Sequence, residues 1–255
     1  MHRFHLPPAQ CQADRLLLSG AEAHHAIHVL RLRRGDRVTV LNGAGLELLC
    51  EVEAIERNQP VLALVEKRSH PPLPCQITLL QAIPKGKLIE SIIQKATELG
   101  AARVVPLLAE RVVTRLDSHE AAAKAAKWQA IAVEAVKQCG APWLPRVETP
   151  LTPTQFLARK EPFDLALVGS LQAGAKHPRE YVDAYRAAHG RFPQTACVWI
   201  GPEGDFTLSE LGEIQAAGAL PITLGPLVLR TDTAALYSLS FLNYEAQSQI
   251  ADQRV

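Results

Sequence analysis

The chain has 255 residues, 47% hydrophobic and 21% charged, enough for one large domain or two modest ones with a sizeable core. Its net charge is +1. A globally basic nucleic-acid binder is excluded, so any basic surface must be local.

No apolar run is long enough to span a bilayer, and the opening "MHRFHLPPAQ" lacks the apolar core of a signal peptide. A cytoplasmic protein with no membrane partner is expected. Cys11, Cys50, Cys75, Cys139 and Cys197 are scattered, without a C-x-x-C pair. Reduced thiols are expected, not a disulfide frame or a zinc site.

In chain order, "GAEAHHAIHVL" (20–30) reads as a short helix, followed by the polar turn "RLRRGD". "RVTVLNG", "LELLCEVEAIE" and "PVLALVEKR" read as strands, with "NGAG" (42–45) as a hairpin turn. "SHPPLP" (69–74) is stiff and cannot continue a central strand, so a domain boundary is placed there.

After Cys75 the pattern changes. "QITLLQAI" and "ARVVPLL" read as strands. Between them "KLIESIIQKATELG" reads as an amphipathic helix with Leu88, Ile92, Ala96 and Leu99 on one face and Gly100 as its stop. "SHEAAAKAAKWQAIAVEAVKQCG" reads as a long helix. "DLALVGS" (164–170), "ACVWIG" (196–201) and "PITLG" (221–225) are continuous apolar runs, as buried parallel strands require. "TLSELGEIQAAG" and "TAALYSLSFLNYEAQ" read as helices. The alternation predicts an α/β fold with a parallel sheet.

Ligands of such sheets sit beyond the carboxyl ends of the strands. Three ends carry glycine where the chain leaves the sheet: "LVGS" (167–170), "IGPEGDF" (200–206) and "LGPLVLRTDTA" (224–234). Each alone fits an ordinary turn equally well. Thr207 and Glu210 form a capping box for the following helix. G-x-G-x-x-G and Walker loops are absent, which counts against a nicotinamide enzyme or an ATPase. His24 and His28 are spaced i, i+4, but no acidic or cysteine partner has supporting spacing, so no metal is assigned.

Four motifs in this order, "KGKLIESIIQKATELGAARVVPL" (85–107), "KWQAIAVEAVKQCG" (127–140), "IGPEGDFTLSE" and "LGPLVLRTDTAAL", resemble the ribosomal RNA small subunit methyltransferase E family. The resemblance covers nearly the whole chain, including "HHAIHVLRLRRGDRV". It implies S-adenosylmethionine-dependent methylation of N3 of a uracil in 16S rRNA, as free RNA or within the small subunit. It implies a SPOUT-type parallel sheet with a C-terminal trefoil knot over residues 73–255, a PUA-like RNA-binding β-barrel over 1–72, and a homodimer. Knots are rare enough that residue patterns alone predict an open sheet.

By the same resemblance the cofactor lies against Val168 and Gly169, against Ile200, Gly201, Pro202, Glu203 and Gly204, and against Leu224, Gly225, Val228, Leu229 and Ala234, with Thr233 either touching it or capping the last helix. Arg230 is the expected catalytic residue, an electrostatic helper for the charge that develops on uracil, with anchoring the loop, holding the methionine carboxylate or contacting the RNA as its alternatives. Glu203 and Asp232 are weaker candidates for proton acceptor. N3 methylation needs no cysteine nucleophile. Arg31, Arg33, Arg34 and Arg37 form the expected RNA-binding patch. The sequence departs from the family pattern at Leu227, where a basic residue is common, at "KQCGAP" (137–142), and at Asp205, which replaces a glycine. Competing readings are a SPOUT methyltransferase for another RNA site or a ribose 2′-oxygen, and a non-catalytic RNA-binding assembly factor.

Overall fold

The structure, a computed structural model, describes residues 1–112 and 116–252. Residues 113–115 and 253–255 lie outside the described residues. The chain divides into two compact units: Met1–Pro72 with Val133–Leu144, and Leu73–Ala132 with Pro145–Val255. The division between Pro72 and Leu73 falls inside the proline-rich segment, and the first unit also takes in Val133–Leu144.

The first unit is built on a five-stranded sheet of β1 (His2–His5), β2 (Arg15–Leu17), β3 (Arg37–Leu41), β4 (Leu46–Glu56) and β5 (Gln59–Ser69), in the order β1-β3-β4-β5-β2. β1 pairs parallel with β3, and the remaining pairs are antiparallel. The hairpin between β3 and β4 turns at 42–45 as the sequence predicts. The Asn42 side chain accepts from the N–H groups of Ala44 and Leu46, and Gly43 and Gly45 take left-handed φ. α1 (Gly20–His24) continues as a π-helical turn, His25–Val29. Phe4, Leu16, Leu18, Val38, Val40, Leu48 and Leu62 fill the core beneath the sheet. Each such side chain contributes roughly 1.5–3 kcal/mol by leaving water.

The second unit is a six-stranded, wholly parallel sheet: β6 (Gln76–Ala82), β7 (Arg103–Leu107), β8 (Arg146–Val147), β9 (Leu165–Gly169), β10 (Thr195–Ile200) and β11 (Leu220–Ile222). Their order is β11-β9-β10-β6-β7-β8, so the connection reverses direction between β10 and β6. Seven α-helices and a short 3-10 turn, Pro8–Gln10, complete the described chain: α1, α2 (Leu88–Glu98), α3 (Ser118–Cys139), α4 (Pro153–Leu157), α5 (Pro178–His189), α6 (Leu208–Ala216) and α7 (Thr231–Asp252). The last residues of α3 belong to the first unit.

Local chemistry sets these boundaries. Thr207 accepts from Glu210 N–H and Glu210 reciprocates, so the predicted capping box starts α6. The sequence reading assigns no helix at α5, although Pro178 at its first turn, Glu180 in a box with His177, and left-handed Gly190 at its end are start and stop signals. α2 buries Ile89, Ile92, Ile93 and Ala96, a face turned one residue from the predicted one; Leu88 and Leu99 are half-buried at its ends. Its terminal carbonyl on Leu99 accepts from the Asn243 amide of α7 at 3.0 Å. The predicted strand 221–225 shortens to Leu220–Ile222. Thr223 Oγ1 accepts from Gly225 N–H and Gly225 takes φ +113°, which turns the chain out of the sheet. α7 then packs on α2, β6 and β10. It begins at Thr231, so Thr233 lies inside the first turn and is not a cap.

Candidate functional site

All six strands are parallel, so every carboxyl end lies on one edge of the sheet. There, the ends of β9, β10 and β11 and the loop entering α7 surround a cleft of ≈ 290 Å³. That lies near the lower limit of small-molecule sites, roughly 300–1,000 Å³.

Of the residues assigned to the cofactor, Gly169, Ile200, Gly201, Pro202, Glu203, Leu224, Gly225, Val228, Leu229 and Ala234 line this cleft. Arg230 lines it too, exposed and without an ion pair among the described residues. Val168, Gly204 and Thr233 are not in the lining. Val168 is wholly buried in the core, since the pleat turns alternate residues of β9 to opposite faces. Gly204 lies behind the loop, where its carbonyl accepts from Arg111 Nη1 at 2.5 Å. Thr233 is exposed on α7.

Sequence reading missed Ser170, Leu171, Asp205, Ile222, Thr223, Leu227 and Thr231, all of which line the cleft. Leu171, Leu227 and Val228 form an apolar lip; Leu227 is 74% and Val228 77% exposed. No periodic pattern marks such positions, because a loop residue's neighbours are set by where other strands end.

The second wall, residues 201–206, is a tight turn. Asp205 N–H donates to Pro202 O, and Asp205 takes φ +59°. A Cβ on Gly201 would meet Asp205 Oδ1 at 2.9 Å and the Phe206 nitrogen at 3.1 Å, so a side chain there would push the Asp205 carboxylate aside and crowd the turn. Desolvation raises the Asp205 pKa, against the opposing effects of the Phe206 N–H and the nearby Arg111 charge. Glu203 accepts from Lys85 N–H, and Glu210 accepts from Glu110 N–H, so the exits of β6 and β7 both hold this wall. Asp232 lies outside the lining, and its Oδ1 is buried without a partner among the described residues.

Burial pushes the thiols of Cys50, Cys75 and Cys197 up to about 12 and raises that of Cys11. Cys139 is exposed. None of the five lines the cleft.

In the first unit, Arg31, Arg33 and Arg34 are exposed around buried Leu32, in a turn closed by Asp36 Oδ2, which accepts from Arg33 N–H at 2.7 Å. Arg37 pairs with Glu51 at 3.6 Å. His24 and His28 have ring centroids 4.7 Å apart.

An RNA methyltransferase domain family matches residues 71–243, and an RNA methyltransferase PUA domain family matches 18–65. Ribosomal RNA small subunit methyltransferase E of Bacillus subtilis is 31% identical over 95% of this chain and 94% of its own length. The chain belongs to the ribosomal RNA small subunit methyltransferase E family. The Synechocystis methyltransferase E is 32% identical over 95% of this chain and 77% of its own. Two solved structures extend the match to the fold. A methyltransferase of Legionella pneumophila in complex with the cofactor SAM superposes with a TM-score of 0.84 at 32% identity, covering 95% of this chain and 97% of that one. A methyltransferase E from Neisseria gonorrhoeae bound to S-adenosyl methionine superposes at 0.81 and 28%, covering 96% and 98%. The SPOUT-like parallel sheet and the PUA-related N-terminal unit follow from these matches.

Two departures from the methyltransferase E pattern have a structural account. Leu227 adds apolar surface to the lip of the cleft. Lys137, only 8% exposed, places Nζ 2.8 Å from Glu22 and 2.9 Å from Glu134. Burial opposes its charge, yet the two carboxylates hold its pKa above the ordinary value. Lys137 is a structural ion pair inside the first unit.

Proposed function

We propose that this protein transfers a methyl group from S-adenosylmethionine to N3 of a uracil in 16S rRNA. The observation that carries the reading is the coincidence of family membership over 95% of the chain with a cleft built from the family's glycine-bearing strand ends.

The residues present fit the cofactor. Leu224, Val228 and Leu229 offer an apolar wall, and the backbone at Gly169, Gly201 and Gly225 is accessible for polar contacts. Bound there, S-adenosylmethionine supplies an electrophilic methyl on a sulfonium. The chain's own tasks are to orient the base, exclude water and offset the negative charge that develops as the N3 proton leaves. Arg230, on the cleft and unpaired among the described residues, serves that last task. Glu203 is the one of the two expected proton acceptors that lines the cleft. The buried thiols take no covalent part.

The target base must leave its stack to reach the cleft. Arg31, Arg33, Arg34 and Arg37 hold the RNA through its phosphates, and the first unit acts as the family's PUA-like barrel. The C-terminal segment forms the family's trefoil knot. In support, the chain leaves the sheet at its edge strand β11, yet α7 returns to the central strands β6 and β10. The active form is a cytoplasmic homodimer. Among the described residues no helix is long and apolar enough to cross a membrane. Exposed Tyr237 and Tyr244 on α7 supply the apolar surface for a second copy.

The test is nucleoside mass spectrometry after incubating the protein with S-adenosylmethionine and small subunits lacking the modification. Appearance of 3-methyluridine in 16S rRNA is expected. A 2′-O-methylated product, or cofactor binding without any methylated nucleoside, would overturn the target assignment.

A further inference from the structure

Beside the cleft, three segments far apart in the chain meet on one hydroxyl. Thr231, 5% exposed, donates from Oγ1 to the Gly201 carbonyl at 2.7 Å. The same Oγ1 accepts from Gln81 Nε2 at 2.9 Å. Gln81 is wholly buried near the end of β6, and its Nε2 also donates to Ala82 O at 2.8 Å.

These bonds have a direction. A carbonyl can only accept, so Ala82 O fixes which end of the Gln81 amide faces it. The amide nitrogen is thereby presented to Thr231 as well. Thr231 has one hydrogen, and with a donor already pointing at its oxygen it must turn that hydrogen to Gly201. Reversing the amide would leave Ala82 O without this donor and would draw the Thr231 hydrogen away from Gly201. The observed orientation persists although Gln81 Oε1 has no partner among the described residues.

Gly201 is the first residue beyond β10, and the turn Pro202–Asp205 folds back on it so closely that a side chain would displace the Asp205 carboxylate. Its peptide therefore sets where Pro202, Glu203 and Asp205 stand in the cleft. Resting on the cofactor-cleft reading above, we propose that Thr231 is a positioning residue for methyl transfer, its hydroxyl aimed by Gln81 so as to fix the Gly201 peptide and with it one wall of the site. Displacement of a positioning wall by about 1 Å is enough to cost on the order of 10²-fold in rate.

The test uses the full chain with Thr231→Val, which keeps the shape and removes the hydroxyl, and Thr231→Ser, which keeps the hydroxyl. Three quantities are measured: S-adenosylmethionine affinity by calorimetry without RNA, kcat and RNA KM for 3-methyluridine formation, and thermal unfolding. T231V is expected to lose roughly 10- to 100-fold in kcat, with weaker cofactor binding and an unchanged RNA KM, and T231S to recover most of the loss. Wild-type kcat and affinity in T231V would overturn the proposal, as would equal damage in T231S. Should T231V not fold, Thr231→Cys, a weaker donor of similar size, takes its place: a partial loss supports the proposal and no loss overturns it. A wild-type protein that binds no cofactor and methylates nothing would instead defeat the functional reading on which the proposal rests.

Discussion

Glu203 Oε1 accepts a hydrogen bond from the backbone N–H of Lys85 at 3.0 Å, across 118 residues of sequence. The bond joins the exit of β6 to the wall of the cleft beyond β10. Both partners are exposed, so the bond itself contributes at most about 1 kcal/mol to folding. Its consequence lies in the cleft. Glu203→Ala is expected to weaken S-adenosylmethionine binding several-fold with little change in melting temperature, and Glu203→Gln, which retains an acceptor, to bind nearly as wild type. Calorimetric titration of both variants checks this; wild-type affinity in E203A would remove Glu203 from the wall.

Arg230 also lines that cleft, without a carboxylate partner among the described residues. Arg230→Ala is expected to reduce kcat by roughly 10²-fold, the scale of losing one preorganised charge-stabilising donor, while RNA affinity changes little. Single-turnover rates at saturating RNA measure it. Full turnover in the variant would exclude the role.

Arg31, Arg33 and Arg34 differ from Arg37 in having no side-chain acidic partner among the described residues. Replacing the three with Gln is expected to weaken RNA binding and to flatten the plot of log affinity against log salt, by roughly 0.7–0.9 for each phosphate no longer neutralised. Filter binding at several salt concentrations reads the slope. A slope equal to wild type would place the RNA elsewhere.

Asp164, just before β9, accepts from Arg191 and from the N–H groups of Gln194 and Thr195 at the start of β10. The Arg191 hydrogen bonds, ahead of opposing desolvation, hold its pKa well below the usual carboxylate range. Because the folded-state value is depressed, the stabilisation is complete above the unfolded value near ~3.9 and is lost as pH falls through the folded one. Asp164→Ala is expected to cost about 1–2 kcal/mol at pH 7, allowing for the solvent around Arg191, with the difference from wild type closing in strong acid. Asp164 is at the amino end of the strands, away from the cleft, so cofactor affinity should not change. Denaturant unfolding followed from pH 7 down into strong acid checks it, the two proteins converging only as pH falls through the depressed folded value.

Lys137 and Glu22 form a largely buried pair in the first unit, and Glu22 Oε2 already lacks a partner among the described residues. Lys137→Met leaves that carboxylate uncompensated and is expected to cost about 3 kcal/mol. The double variant with Glu22→Gln should recover a good part. Thermal unfolding distinguishes these outcomes, and a K137M protein as stable as wild type would show that solvent reaches the pair.

Much of the architecture is legible in the linear pattern. Continuous apolar runs at 165–169 and 196–200 mark buried strands, 76–82 also reads as a strand, and Thr207 with Glu210 fixes a helix start within four residues. The glycines at 169, 201 and 225 mark where the chain must leave the sheet, and they do line the cleft. These signals are local: burial period, capping and positive φ act over a few residues, so the sequence carries them openly.

Which side chains face the cleft is another matter. Thr231, Asp205 and Ser170 carry no pattern, and Val168 falls on the wrong side of its strand once the pleat is set. Lys137 reads in the sequence only as a departure from the family pattern; the fold places it between Glu22 and Glu134. The Gln81–Thr231–Gly201 relay spans 150 residues, and its direction depends on a carbonyl that only the register of β6 supplies. Composition and periodicity therefore determined that this chain makes a parallel sheet with glycine exits. Tertiary packing alone decided which groups meet there, because hydrogen-bond partners and desolvation depend on distances in space that no local spacing encodes.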